Sequence, residues 1–289
     1  MLFFLCLLLE VLLLASNCVG NIFANNGRLV QLESAEFASR RGASVIALAS
    51  NNSAVLLSWS PEAASGKEST KTSLQKFRAL SSNIGMTGTG VSSDIEFIAN
   101  YGFDFVAQHS YAFSSPAPLS RVAQSMASEM HLRTVRRGWR PFGVRLCLVG
   151  YESGAAQVIE LDPMGNLLNC KFSCIGANAD KLARKLSASF NNASSEALSD
   201  VGSLVRLGAQ TIVDTMNDTG DETEGSIPKK MWSLEEVLGK VDAAIVGKDQ
   251  AFSFMKGSEV FSKQSSQLVP SRNSSRRSKT INREDLLLL

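Results

Sequence analysis

The sequence predicts a mixed α/β domain whose strands pair antiparallel. In the central stretch, the apolar runs 144–149 and 158–161 have the composition of buried strands, and the first is interrupted only by Arg145. Residues 167–174 are interpreted as a third strand, because the turn-forming residues of 162–165 separate them from the second. A helix follows Ile175 and Gly176. Strands joined by short turns and followed by a helix indicate an antiparallel α/β arrangement.

The flanking segments extend this pattern in both directions. Residues 26–40 predict an amphipathic helix, and 44–49 with 54–59 predict a β-hairpin. Residues 84–86 are predicted to form a short strand. The glycine-rich segment 85–90, which overlaps the end of this strand, is interpreted as the turn into a helix over about 91–105. A second helix opens at Ser115-Pro116 and buries four apolar side chains: Leu119, Val122, Met126 and Met130.

The C-terminal half repeats the alternation of helices and strands. The helix after Gly176 places Leu182, Leu186 and Phe190 on one face. Further helices are predicted at 194–216 and 232–241, and a hairpin is predicted from 241–246 and 251–255. Residues 61–72 are predicted to form a polar loop, and 217–230 an exposed acidic insertion.

Both ends of the chain differ in composition from the rest. Residues 1–21 form an apolar leader that resembles a signal-peptide core but lacks a positive segment before it. Glu10 and the short apolar runs disfavour a membrane span. The alternative to a signal peptide is that the translation start is mistaken. The domain is therefore predicted to cover 22–261, and the Ser- and Arg-rich residues 262–289 are predicted to be disordered.

Composition argues against several functional classes. The chain has 289 residues, 44% of them hydrophobic, and a formal net charge of +2, so no general attraction to nucleic acid or membrane is expected. No cofactor is expected. Cys170 and Cys174 lie four residues apart without a nearby histidine, which disfavours a zinc site. The five cysteines are interpreted as reduced residues, those of the folded domain as small core side chains.

Four motifs of the central stretch together resemble a known family, the proteasome core-particle subunits. In order they are Arg140-Pro141-Phe142-Gly143-Val144, Gly150-Tyr151, Asp162-Pro163-x-Gly165 and Ile175-Gly176-Ala177. The N-terminal pattern Ile22-Phe23-x-x-x-Gly27-Arg28-Leu29-x-Gln31-Leu32-Glu33-x-Ala35 is similar to the alpha-type subunits, although 24–26 and Ser34 depart from it. The resemblance implies a four-layer αββα sandwich of two antiparallel sheets, with the fold of N-terminal-nucleophile hydrolases.

The same resemblance implies a subunit without catalytic activity. Catalytic relatives expose an N-terminal threonine after a glycine, and its own amine acts as the base. Here Ala43 follows Gly42, and no lysine that would activate a nucleophile is recognisable in the next strand. His109 and His131 are interpreted as exposed helix-end residues rather than members of a triad. No catalytic or metal-binding residue is therefore assigned.

The resemblance also implies a binding site and partners. Lys76 lies where alpha-type subunits place a lysine in the pocket that receives the C-terminal carboxylate of an activator, with Gly27, Leu29 and Gly42 in the wall. The alternative is that Lys76 is one solvated lysine of a basic cluster. The expected partners are other alpha subunits of a seven-membered ring, beta subunits and a regulatory particle, in the cytoplasm and nucleus.

Two other functions remain open at this stage. One is an active N-terminal-nucleophile hydrolase in which processing exposes Ser44 or another hydroxyl residue. The other is a secreted or membrane-anchored paralogue outside the ring, directed by the leader. If Met1 is the true start, we also expect the usual gate contacts of alpha-type subunits to be missing, because the leader replaces their polar tail.

Overall fold

The computed structural model describes residues 23–59, 76–136, 138–192, 200–218 and 231–260. Its helices are α1 (Val30–Ser39), α2 (Ser92–Phe113), α3 (Leu119–Val135), α4 (Ala179–Asn192), α5 (Val201–Asp218) and α6 (Leu234–Lys240). Its strands are β1 (Ser44–Ala49), β2 (Ser53–Trp59), β3 (Phe77–Ala79), β4 (Ile84–Gly90), β5 (Val144–Glu152), β6 (Ala155–Leu161), β7 (Leu167–Cys170), β8 (Phe172–Ile175), β9 (Asp242–Gly247) and β10 (Gln250–Lys256).

These strands form two antiparallel sheets of five strands each. The first sheet has the order β10-β9-β2-β1-β8, and the second has the order β3-β4-β5-β6-β7. The predicted hairpins β1-β2 and β9-β10 are confirmed, and β9 pairs with β2 to join them. The N-terminal and C-terminal segments of the chain therefore complete the same sheet.

Three apolar clusters show that the sheets and helices stack in four layers. One cluster lies between the two sheets and contains Leu56, Cys147 and Val149. A second fills the space between the first sheet and α4, α5 and α6, and a third lies between the second sheet and α2 and α3. Each sheet is thus covered on both faces, which explains why β1 and β2 are buried along their whole length. The predicted four-layer αββα sandwich is confirmed.

The predicted third strand, 167–174, is wrong as a single element. It consists of β7 and β8, which are separated at Lys171 and belong to different sheets. Strand β7 pairs with β6, whereas β8 pairs with β1. The Lys171 carbonyl accepts a hydrogen bond of 2.8 Å from the Ala49 amide, at the point where the chain crosses between the layers. Local periodicity cannot reveal this change because both halves are strand-like.

Other predicted boundaries shift or lie outside the described residues. Helix α1 begins at Val30 rather than at residue 26, because residues 24–28 close a hydrogen-bonded turn first. The glycine-rich segment 85–90, predicted as a turn, belongs to β4, and α2 begins only two residues later, at Ser92. The four side chains predicted to be buried on α3 are all buried. The leader, loop 61–72, nearly all of the acidic insertion and the C-terminal tail lie outside the described residues, so both domain boundaries stay predictions.

Candidate functional site

The turn before α1 holds two of the residues predicted to line the activator pocket. The Ala24 amide donates to the Arg28 carbonyl, and the Gly27 amide donates to the Ala24 carbonyl, both at 2.8 Å. Gly27 has a φ of +76°, which side chains with a Cβ rarely adopt, and this explains the glycine. Leu29 immediately precedes α1, so both residues lie at the N-terminal end of this helix.

Gly42 lies beyond the opposite end of α1, where the helix meets the second sheet. Its φ is +115°, and a Cβ built on it would lie 3.9 Å from the Gly90 amide nitrogen at the end of β4. The Thr89 hydroxyl donates a 2.8 Å hydrogen bond to the Ser39 carbonyl at the last residue of the helix. A helix of ten residues is about 15 Å long, so Gly42 is well separated from Gly27 and Leu29.

Lys76 lies at the same end of the sandwich as Gly42. The Thr87 hydroxyl of β4 donates a 2.8 Å hydrogen bond to the Lys76 carbonyl, which fixes Lys76 at the start of β3. Its ammonium lies 3.5 Å from the Asp242 carboxylate of β9, and the Lys256 ammonium lies 3.5 Å from the other oxygen of that carboxylate. The side chain of Lys76 is 18% exposed, so it is held between the sheets and is not a freely solvated lysine.

The four predicted pocket residues therefore divide into two groups on this chain. Gly42 and Lys76 lie near the end of β4, whereas Gly27 and Leu29 lie a helix length away. A pocket formed between two adjacent subunits needs only part of its wall from each of them.

Charged side chains that the sequence analysis does not assign to a site hold α1 on the sandwich. Arg145 of β5 donates to Glu36 of α1 at 2.5 Å and to Glu160 of β6 at 2.8 Å. Glu160 also accepts a 2.6 Å hydrogen bond from the Ser173 hydroxyl of β8. We call these four residues, Glu36, Arg145, Glu160 and Ser173, the inter-sheet network. It connects α1, the second sheet and the edge of the first.

Electrostatics favour the charged state of Arg145 within this network. Burial opposes the charge, but the hydrogen bond and Coulomb attraction of Glu36, together with Glu160, outweigh it and raise the pKa of the guanidinium. In the sequence, the only indication of this network is that Arg145 interrupts an apolar strand. Its partners could not be found from the sequence, because Glu36 and Glu160 are distant in the chain.

A second ion pair gives the Arg140-Pro141-Phe142-Gly143 motif a structural role. Arg140 donates two hydrogen bonds of 2.6 Å to the two oxygens of Asp94, in the first turn of α2. The Gly143 amide donates a third bond to Asp94 at 3.1 Å. Burial alone would raise the pKa of this carboxyl, but these donors outweigh it and hold the pKa below its ordinary value. The motif therefore anchors the start of β5 to α2.

The position that carries the nucleophile in catalytic relatives has no exposed hydroxyl here. Ser44, the first residue of β1, is buried, and its hydroxyl donates a 2.7 Å hydrogen bond to the Ala177 carbonyl. The chain continues from α1 through Gly42 and Ala43 into this strand, so the Ser44 nitrogen belongs to a peptide bond. Ser44 thus acts as a structural link between β1 and the segment before α4.

The two histidines occupy different environments. His131 is exposed near the end of α3, as predicted. The prediction is wrong for His109, which lies half-buried within α2 with its ring centroid 6.3 Å from that of Phe105 and 4.6 Å from that of Phe113. Aromatic packing explains its position. Within the described residues, no group of three or more His, Cys, Asp or Glu side chains could hold a metal ion, and no helix is long and apolar enough to cross a membrane.

Two antiparallel sheets packed face to face and covered by helices define the class of proteins with the N-terminal-nucleophile hydrolase sandwich. The sequence model of the family described as proteasome subunit matches residues 39–224. The chain therefore belongs to the proteasome subunit family.

Curated relatives of this chain include several alpha-type subunits. Proteasome subunit alpha type-1 of Dictyostelium discoideum is 24% identical over 81% of this chain and 86% of its own length, and the type-1 subunit of Drosophila melanogaster is 21% identical over 82% and 79%. Subunit alpha type-6 of Saccharomyces cerevisiae is 24% identical over 82% and 93%. The hairpin segment 244–252 resembles type-1 subunits, but identities this low to types 1 and 6 alike support an alpha-type subunit without selecting one type.

Proposed function

We propose that the chain is a non-catalytic structural subunit of the outer, alpha-type ring of the proteasome core particle. The observation that carries this proposal is the position of α1, which is the element that alpha-type relatives share and which is bound to the sandwich through Glu36 and Ser39. Ring assembly with six other alpha-type subunits, contact with beta subunits and control of substrate entry would follow from membership of that ring. The process served would be ubiquitin-dependent protein degradation in the cytoplasm and nucleus.

The environment of Ser44 supports the absence of catalysis. A nucleophile of this class needs an exposed hydroxyl and a free α-amine beside it. Ala43 has no hydroxyl, and the Ser44 hydroxyl is buried and donates to the Ala177 carbonyl. Cleavage before Ser44 would also break the covalent connection between α1 and β1. The structural role is therefore favoured over an active hydrolase.

We further propose that these four residues line pockets for the C-terminal carboxylates of a regulatory particle at the boundaries with adjacent subunits, with Lys76 and Gly42 near one end of α1 and Gly27 and Leu29 at the other. An ammonium that is partly buried and held in position is a suitable partner for such a carboxylate. The neighbouring subunit would supply the rest of the wall.

The first experiment is native-size fractionation of the endogenous protein, combined with intact-mass analysis. Co-migration with the assembled peptidase core supports the ring-subunit function, and the mass shows whether residues 1–21 are retained. A small species that lacks the leader and carries glycans would contradict it and favour the secreted paralogue. Peptidase activity of the isolated chain after cleavage before Ser44 would instead favour the hydrolase.

A further inference from the structure

A cleft of about 600 Å³ opens where α2 ends and the chain turns into α3. One wall consists of the last turns of α2, and the other consists of the connecting segment 115–118 with the first turn of α3. Ala117 and Leu119 are buried and anchor this segment to the core, so the cleft is already formed without a ligand. Its volume is within the range of about 300–1,000 Å³ that is typical of small-molecule sites.

Side-chain rings make up most of the lining of this cleft. Phe105, His109 and Phe113 are spaced four residues apart, so they lie on one side of α2. The ring centroids of His109 and Phe113 are 4.6 Å apart, and those of Phe105 and His109 are 6.3 Å apart. Pro116 and Pro118 belong to the other wall. Because aromatic rings stack on one another at about these separations, the cleft suits a planar aromatic ligand.

Phe113 leaves a large apolar surface uncovered at this cleft. It is 68% exposed, and the removal of apolar surface from water favours binding. His109 offers a ligand the face of its ring rather than its Nδ1, which is buried and has no partner among the described residues. The contribution of this wall to binding is therefore contact between rings.

Arg121 supplies a permanent positive charge to the lining. Among the described residues that line the cleft, none is acidic. The Arg121 side chain is exposed in the first turn of α3, and it has no ion-pair partner within the described part of the chain. Its guanidinium is always protonated and has only donors, so it can bind an anionic group of a ligand.

We propose that this cleft binds a small, planar aromatic molecule that carries a carboxylate. The aromatic ring would lie against Phe113 and His109, and the carboxylate would accept hydrogen bonds from the Arg121 guanidinium. The parallel donors of a guanidinium match the two oxygens of a carboxylate, and such charge-assisted bonds are stronger than those between neutral groups. The site lies within a single chain, so it does not depend on the proposed ring function.

The test is calorimetric titration of the full-length chain with probes that share one ring system and differ in charge. Naphthoate is the anion, naphthalenemethanol the neutral compound and naphthylmethylammonium the cation. We expect naphthoate to bind saturably and at least about tenfold more tightly than the ammonium compound, with the alcohol between them. Equal affinity for all of these probes, or no saturable binding of naphthoate, would overturn the proposal.

Substitution of Arg121 tests the charge preference separately from the contact between rings. In Arg121→Gln, naphthoate should bind at least about fivefold more weakly, whereas the affinity for the neutral alcohol should change by less than about twofold. The matched control is Arg206→Gln on the exposed face of α5, which should leave both affinities within about twofold because distant surface charges are screened. Equal losses of naphthoate affinity in the two variants would contradict a role for Arg121.

Substitution of Phe113 tests the contact between rings. Phe113→Ala removes an exposed side chain, so the fold should persist, and all of the probes should bind at least about threefold more weakly. The matched control is Phe103→Ala, which changes an exposed phenylalanine of the same helix that does not line the cleft. It should change each affinity by less than about twofold. If both phenylalanine variants bind as weakly as each other, the probes do not occupy this cleft.

Discussion

The guanidinium of Arg145 on β5 donates a 2.5 Å hydrogen bond to the carboxylate of Glu36 on α1, across 109 positions of the chain. This contact fixes α1 to β5, the strand that follows the Arg140-Pro141-Phe142-Gly143 motif. Glu160 and Ser173 continue the connection to the edge of the other sheet. The helix is therefore attached to the sandwich by charged groups as well as by packing.

Substitution of Arg145 by methionine should destabilise the folded chain by about 2 kcal/mol. The change leaves Glu36 and Glu160 without their cation, and an unpaired, largely buried carboxylate is costly. We expect less than the cost of a fully buried pair, because the three side chains are 14–25% exposed and partly screened. Urea unfolding provides the measurement. In the control Arg206→Met, the free energy of unfolding should change by less than about 0.5 kcal/mol.

A double-mutant cycle with Glu36→Gln separates the Arg145–Glu36 contact from general effects of either substitution. The loss in the double variant should be smaller than the sum of the two single losses, because the second substitution removes a contact that is already broken. Additive losses would show that the contact contributes nothing to the stability of the folded chain.

Asp94 should make the stability of the chain depend on pH in the acidic range. Its pKa is lowered in the folded state, so its contribution is complete above the ordinary carboxyl pKa of about 3.9 and is lost as the pH falls through the folded value. Unfolding free energies measured from pH 6 down to pH 3 should therefore decline more steeply in the unchanged chain than in Asp94→Asn. The control is Asp104→Asn, an exposed residue of the same helix, which should leave the slope unchanged.

At neutral pH, Asp94→Asn should cost about 1–2 kcal/mol of stability. It weakens the bonds from Arg140 and Gly143, but Arg140 is 62% exposed, so solvent screens much of its attraction. An unchanged free energy of unfolding at pH 7 would mean that the Arg140 motif is not anchored through this carboxylate.

Lys76→Ala should weaken the binding of an activator-derived C-terminal peptide to the assembled core particle by about tenfold or more. The reason is the loss of the ammonium that we propose as the partner of the peptide carboxylate. Asp242 retains Lys256 at 3.5 Å, so the sandwich should remain folded. The matched control is Lys248→Ala, at the opposite end of β9 from Asp242. If the Lys76→Ala particle assembles normally and binds the peptide as tightly as the unchanged particle, the carboxylate must bind elsewhere.

The three cysteines of the sandwich should resist alkylation in the folded chain at pH 8. All three are free thiols, and burial raises the pKa of Cys170 to about 11 and that of Cys174 to about 12. The pKa of Cys147 is also raised well above its ordinary value by burial. Few thiolates are then present to react. Peptide-level mass spectrometry after iodoacetamide treatment should find these residues modified only in denaturant. Rapid labelling of Cys147 or Cys174 under native conditions would contradict the burial of β5 and β8.

Some features of the fold follow from the sequence because their causes are local. The apolar runs that became β1, β2 and β5, and the helical spacing of Leu182 and Leu186 on α4, appear at the predicted positions. Hydrophobic periodicity and turn residues depend on neighbours only a few positions away. The family motifs likewise lie in short segments, so the resemblance to alpha-type subunits could be recognised from the sequence alone.

Other features were decided only by the tertiary structure, because their partners are distant in the chain. The break at Lys171 arises because β8 finds its pairing partner in β1, more than 120 residues earlier, while β7 remains with β6. Likewise, Lys76 meets Asp242 because the two sheets stack, and Arg145 meets Glu36 because α1 packs on β5. The sequence by itself determined most of the elements and the family, whereas long-range pairing decided which sheet each strand joined and which charges met.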